Sequence, residues 1–315
     1  MKPTPNGIIL RNLSRSQFIA LAAAAGLPFP FASLLAKEEK QVTATIPSTG
    51  EVLPRIGLGT YSTFDVPIGS AEMSQVSDVL GEFFRLGGRL VDSSPMYGNA
   101  EAATGAASAA LGINPELFIA TKVWTSGRAR GVSQIQESLR LLGRKQLELM
   151  QIHNLVDWKT QIKTLRSYKD AGIFSYIGLT HYQVSAFDEL ARILKTEAVD
   201  FLQIPYSIAE TTAEERLLRV AHERRVAVIA NEPFAQGRLF RRVKGRAVPA
   251  WAVANGITSW AQYFLKFILG DERVQFVIPA TNKLHHLRDN MAAGHGELPD
   301  EKMRARMRRE FLETP

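Results

Sequence analysis

The 315-residue chain contains no cysteine. Disulfides, thiolate zinc sites and thiol nucleophiles are excluded together. The glycine fingerprint of an open-sheet nucleotide domain is missing as well, because Gly57-Leu58-Gly59-Thr60-Tyr61-Ser62 lacks its third glycine. No Walker-type phosphate loop, linker or low-complexity run interrupts the chain after the first 36 residues. The net charge of +7 is not joined to any groove-reading or base-stacking motif, so a nucleic-acid partner is not expected. The most basic run, Lys302 to Arg309, reads as a C-terminal helix with a solvated outer face.

Acids are also absent from residues 1–36, which carry Lys2, Arg11 and Arg15 and then the apolar run Phe18 to Ala36. A basic region, an apolar region and a small residue before Lys37 have the layout of an export signal. Ser14-Arg15-Ser16-Gln17-Phe18-Ile19 resembles a twin-arginine motif with Ser16 in place of the second arginine. Leu34 stands where cleavage prefers a small residue. Pro28 and Pro30 break the run, so no integral membrane segment is expected in the mature chain. The expectation is a signal over 1–36 (twin-arginine-like or Sec-like) and one domain over 37–315, with export machinery as a partner and a periplasmic or exported location. Cytoplasmic retention is the alternative.

Hydrophobic residues make up 45% of the chain and charged residues 22%, enough for a large core without staples. QVTATI and VLPRI read as a hairpin around a Gly-containing turn. After Gly57 to Tyr61, apolar strands recur at RLVDSS, LFIATKV, LELMQIH, SYIGLTH, FLQIPYS, VAVIANEP and VQFVIPA. Helical spacing fills the intervals, as in VSDVLGEFFRLG. Short apolar strands suit a parallel sheet buried on both faces. Eight strand–helix repeats predict an α/β fold, a (β/α)8 TIM barrel whose N-terminal hairpin closes the bottom.

Chemistry in such barrels gathers at the C-terminal strand ends. Asp92 closes the second strand, Tyr97 follows it, Lys122 closes the third strand and His153 the fourth. Each has an ordinary reading: a turn aspartate, a packed tyrosine, a surface lysine, a core histidine. Together they make a coherent set. Lysine beside aspartate offsets the desolvation of both, and a nearby ammonium favours tyrosinate, lowering the phenol pKa from its usual value of about 10.

With these residues in place the chain resembles the aldo-keto reductase family from about Thr43 to Asn290, through GLGTY, VDSSPMYGNAE, IATKVW, LMQIHN, IGLTHY, LQIPYS and IPATNKLHHLRDN. The resemblance implies a barrel enzyme that reduces an aldehyde or ketone with NADP as cofactor, NAD being the alternative. By the same resemblance Tyr97 is the general acid, Lys122 paired with Asp92 tunes it, and His153 orients the carbonyl. Gln203 and Asn154 would hold the nicotinamide carboxamide, and Tyr206 would stack on its ring. Thr180, Pro279, Thr281, His286 and Asn290 would complete the cofactor site, and Trp124 would line the substrate pocket. Thr180-His181 stands where the family often has Ser-Asn, and Ala280 replaces a basic residue. Arg238, Arg241, Arg242, Lys244 and Arg246 crowd the segment after the seventh strand, where one of them would clamp the pyrophosphate or the loop is simply solvated. Adjacent His285 and His286 have no third ligand spaced to join them, so no metal site is expected. Two other readings stand beside the reductase: a cofactor-binding regulatory barrel with little turnover, and a Schiff-base lyase acting through Lys122.

Overall fold

The computed structural model describes residues 41–313, and the expected export signal lies outside them. Thr43–Thr45 (β1) and Val52–Pro54 (β2) pair antiparallel as the hairpin. Eight parallel strands follow: Leu58–Gly59 (β3), Leu90–Asp92 (β4), Phe118–Val123 (β5), Leu147–His153 (β6), Phe174–Thr180 (β7), Phe201–Pro205 (β8), Ala227–Asn231 (β9) and Phe276–Val277 (β10). Each strand hydrogen-bonds to its neighbour in chain order. Parallel bridges from Ile56 to Val277 and from Gly59 to Ala280 join the last strand to the first. The sheet therefore closes on itself.

Helices alternate with the strands on the outside. The first three are Met73–Arg85 (α1), Ala100–Ala110 (α2) and Arg128–Leu141 (α3). Val76, Val79, Leu80 and Phe83 of α1 are buried at a spacing of three and four residues, the apolar stripe of a helix lying on a sheet. Trp158–Asp170 (α4), Phe187–Thr196 (α5) and Leu217–Glu223 (α6) follow β6, β7 and β8. Between β9 and β10 lie Arg238–Arg242 (α7), Ala250–Ala254 (α8) and Trp260–Leu269 (α9). Leu284–Ala292 (α10) and Glu301–Leu312 (α11) end the chain, so the basic run from Lys302 is helical.

Side-chain parity divides the core. Leu90, Phe118, Leu149, Tyr176, Phe201 and Phe276 point into the barrel and pack with Ile46 and Leu53 of the hairpin. Their chain neighbours Val91, Ile119, Met150, Ile177, Leu202 and Val277 belong to the outer core beneath the helices. The hairpin stoppers the N-terminal end, where the Tyr176 hydroxyl lies 2.7 Å from Thr49 Oγ1 and donates to Glu51 at 2.5 Å.

Gly178 shows how little space the barrel interior leaves. A Cβ there would lie 2.9 Å from the Phe201 carbonyl oxygen and 3.2 Å from Gln151 Cγ. Gly178→Ala is therefore expected to destabilise the protein by about 1–3 kcal/mol through overpacking. A urea midpoint unchanged from the parent chain would refute that account.

Candidate active site

The inward parity continues to the C-terminal strand ends, where the apolar layers give way to polar ones. Leu90 is followed inward by Asp92, Ala120 by Lys122, Leu149 by Gln151 and His153, Gly178 by Thr180, and Phe201 by Gln203. The register sets Lys122 beside Gln151, His153 beside Thr180, and Thr180 beside Gln203. All of these side chains are buried, at 6% exposure or less.

Lys122 is the centre. Its ammonium donates to Asp92 Oδ2 at 2.7 Å and to the Ser93 carbonyl at 2.6 Å, with its side chain fully excluded from solvent. Asp92 Oδ1 accepts from Gln203 Nε2 at 2.7 Å and from Gln151 Nε2 at 3.4 Å. Thr180 Oγ1 in turn donates to Gln203 Oε1 at 3.0 Å. A buried charge pair persists only when its remaining hydrogen-bonding capacity is met, and these amides meet it. Burial pushes the Lys122 pKa down, but the Asp92 charge together with Tyr97 and the hydrogen bonds to both outweighs it, and the net direction is up. Lys122 is held as an ammonium, which removes the lone pair that a Schiff-base nucleophile needs.

Above the pair stands Tyr97, its ring centroid 5.0 Å from the lysine nitrogen. The Tyr97 ring lies edge-on to His153 at 6.0 Å and to Tyr61 at 5.1 Å. The expected lowering of its pKa is corrected here. Burial raises the phenol pKa, the Lys122 charge lowers it and Asp92 raises it, with a net shift upward. The sequence shows the lysine but not the depth of burial, and burial wins. Tyr97 is thus a phenol with a proton to give.

His153 Nδ1 lies 3.1 Å from Ser94 Oγ. That oxygen already accepts the Met96 amide at 3.2 Å, so its hydrogen is free to point at Nδ1. With Ser94 as the donor, the histidine proton sits on Nε2. Burial, then the Lys122 charge, then His181 hold the imidazole pKa down to about 3, so the ring is neutral near pH 7. Trp124, 41% exposed, stands at the rim with its ring 6.4 Å from His153.

Tyr206 is the clearest correction. It is fully buried, it packs against Phe267 with ring centroids 6.3 Å apart, and its hydroxyl bonds Asp271, Glu214 and Arg304. Three residues beyond inward-facing Gln203 it has the opposite parity, and it joins Leu202 and Ile204 in the outer core. Its ring is not available to a ligand at the mouth. The other expected positions lie just after strand ends or on α10. Asn154 follows β6 with φ of +53° and has no partner for its buried Oδ1. The Pro279 carbonyl accepts the Gly59 amide at 3.1 Å across the closing seam. Thr281 Oγ1 accepts the Lys283 amide at 3.1 Å just before α10, His286 is exposed in the first turn of that helix, and Asn290 is buried farther along it.

Gln151, Ser94 and Asn231 were missed by the sequence reading. Gln151 hides in the apolar strand, though its parity with His153 marks it as inward. Asn231 ends β9 and donates to the His181 carbonyl at 3.4 Å, while its own buried Oδ1 has no partner. Buried acceptors without donors on Asn154 and Asn231, beside Gln203 and Thr180, suit a ligand that brings amide N–H groups. The exposed first turn of α10, with Lys283 and His286, suits an anion. These residues fit a nicotinamide dinucleotide. Among the described residues no three His, Asp or Glu side chains gather to hold a metal ion.

Comparison with known proteins bears on the same residues. The model of the Aldo/keto reductase family matches residues 55–307. Aldo-keto reductase YhdN of Bacillus subtilis (strain 168) is 25% identical over 210 residues, 62% of this chain and 62% of the relative. Methylglyoxal reductase DkgB of Escherichia coli O157:H7 is 24% identical over 261 residues, 80% of this chain and 91% of the relative. The aldo/keto reductase from Klebsiella pneumoniae in complex with NADP and acetate shares the fold, with a TM-score of 0.73 at 22% identity over 87% of this chain and 95% of that one.

The depressed His153 pKa has a consequence for stability. A histidine that resists protonation when folded contributes stability that is fully present above about pH 6.5 and is lost as pH falls toward about 3. His153→Gln should therefore lose less stability across that window than the parent chain, as read by urea unfolding at a series of pH values. Equal slopes would place the titration elsewhere.

Proposed function

The chain belongs to the Aldo/keto reductase family, and from that membership we propose that it reduces the carbonyl group of an aldehyde or ketone to an alcohol, with NADPH as reductant. The observation that carries this reading is the buried Lys122–Asp92 pair beneath a protonated Tyr97, next to a neutral His153. Bound NADPH supplies the hydride. The protein's part is the proton and the position of the carbonyl.

Tyr97 protonates the carbonyl oxygen as charge develops there. Lys122 stabilises the phenolate that remains, and Asp92 keeps the lysine charged while Gln203 and Gln151 fix its carboxylate. His153 donates from Nε2 to the same oxygen and sets its angle to Tyr97. Trp124 borders the substrate. Gln203, Asn154, Thr180 and Asn231 would hold the carboxamide, and Thr281, His286 and Asn290 would hold the adenosine end. With Ala280 uncharged, Lys283 and His286 with the first turn of α10 are the groups that favour NADPH over NADH.

Export of the enzyme is part of the proposal and rests on the pattern of residues 1–36. A compartment poor in reduced nicotinamide requires the cofactor to travel bound to the folded chain.

The test is titration with NADPH and NADH followed by tryptophan fluorescence, then turnover with a panel of aldehydes. Tyr97→Phe should bind NADPH like the parent chain while its kcat falls by about 10²–10⁴. NADPH binding without turnover in the parent chain would favour the regulatory barrel. Failure to bind either cofactor would overturn the reductase reading.

A further inference from the structure

The loop after β3 carries a carboxylate to which the chemistry above gives no role. Asp65 Oδ1 accepts the Asn99 backbone N–H at 2.8 Å and Asn99 Nδ2 at 3.0 Å. Asn99 is the N-cap of α2, and its own side chain does not cap the helix. Asp65 thus supplies, from a different loop, the negative group that a helix N-terminus favours. The helix it caps begins three residues after Tyr97.

The fit at Gly98 is equally specific. A Cβ on that residue would lie 2.2 Å from Asp65 Oδ1, and its φ of +59° is one that glycine adopts freely. The carboxylate therefore occupies the space that a side chain at position 98 would take. Its own loop is anchored at Thr60 and Phe64. Phe64 is fully buried, and the Phe64 amide donates to the Thr60 carbonyl at 3.1 Å. Thr60 Oγ1 donates to the Asp92 carbonyl at 2.9 Å and lies 3.0 Å from Ser93 Oγ. The same loop also brings Tyr61 edge-on to Tyr97.

We propose that Asp65 is a positioning residue that locks the Tyr97 turn to the β3 loop and so sets the Tyr97 hydroxyl against Lys122 and His153. The proposal rests on the reductase reading above for its effect on turnover, but the tether itself is readable without substrate. Small displacements of a proton donor carry large kinetic effects.

The experiment uses the full chain and its variants Asp65→Ala, Asp65→Asn, Gly98→Ala and the double variant Asp65→Ala/Gly98→Ala. Asp65→Ala should lower kcat about 10- to 100-fold and leave the NADPH Kd unchanged. Asp65→Asn keeps an oxygen that accepts both bonds and should recover most of that loss. Gly98→Ala should damage kcat through the clash with Asp65, and the damage should shrink in the double variant. Amide hydrogen exchange over Tyr97 to Ala100 should quicken in Asp65→Ala. Unchanged exchange in Asp65→Ala overturns the tether, whether or not the parent chain turns over any aldehyde. Faster exchange with kcat unchanged in an active parent reduces Asp65 to a helix cap and overturns its positioning role. A parent chain that binds no nicotinamide and reduces no aldehyde refutes the reductase reading instead.

Discussion

One ammonium group constrains this structure more than any other. Lys122 is charged and dry, a state that costs several kcal/mol unless every donor finds an acceptor. Asp92 and the Ser93 carbonyl accept two of its three N–H groups and Tyr97 faces the third, while two glutamines hold the far oxygen of the aspartate. Four strands, β4, β5, β6 and β8, therefore meet at a single carboxylate. A slip of one residue in any of them would turn a polar partner into the apolar outer core.

The same arrangement explains why the groups around it differ so sharply in protonation. Lys122 keeps its proton because Asp92 faces it. Tyr97 keeps its proton because burial outweighs the lysine. His153 sheds its proton because burial and the lysine act in the same direction. Three titratable groups within one pocket are thus set at charged, neutral and neutral by position alone, and a carbonyl oxygen entering there meets two neutral donors backed by one fixed positive charge.

Much of this was legible from residue order. The eight strands and their helices announced themselves by period, and four polar residues at three strand ends pointed at one mouth. What failed was whatever depends on parity or on distance through space. Tyr206 stood close to Gln203 in the chain and was grouped with it, although a strand alternates and an interval of three turns the side chain away. Gln151 sat in an apolar stretch and was passed over, although counting back by two from His153 would have found it. The upward shift at Tyr97 depends on depth, which no local pattern reports. The contact between Asp65 and Asn99 joins two loops 34 positions apart, and neither loop advertises the other. The reading of residues 1–36 falls outside the described structure.

The hairpin at the opposite end bears on how molecules come and go. Ile46 and Leu53 fill the N-terminal end of the barrel, and Tyr176 is fastened there to Thr49 and Glu51. The packed interior therefore offers no passage through the barrel. Anything that visits Tyr97 must leave by the doorway through which it came.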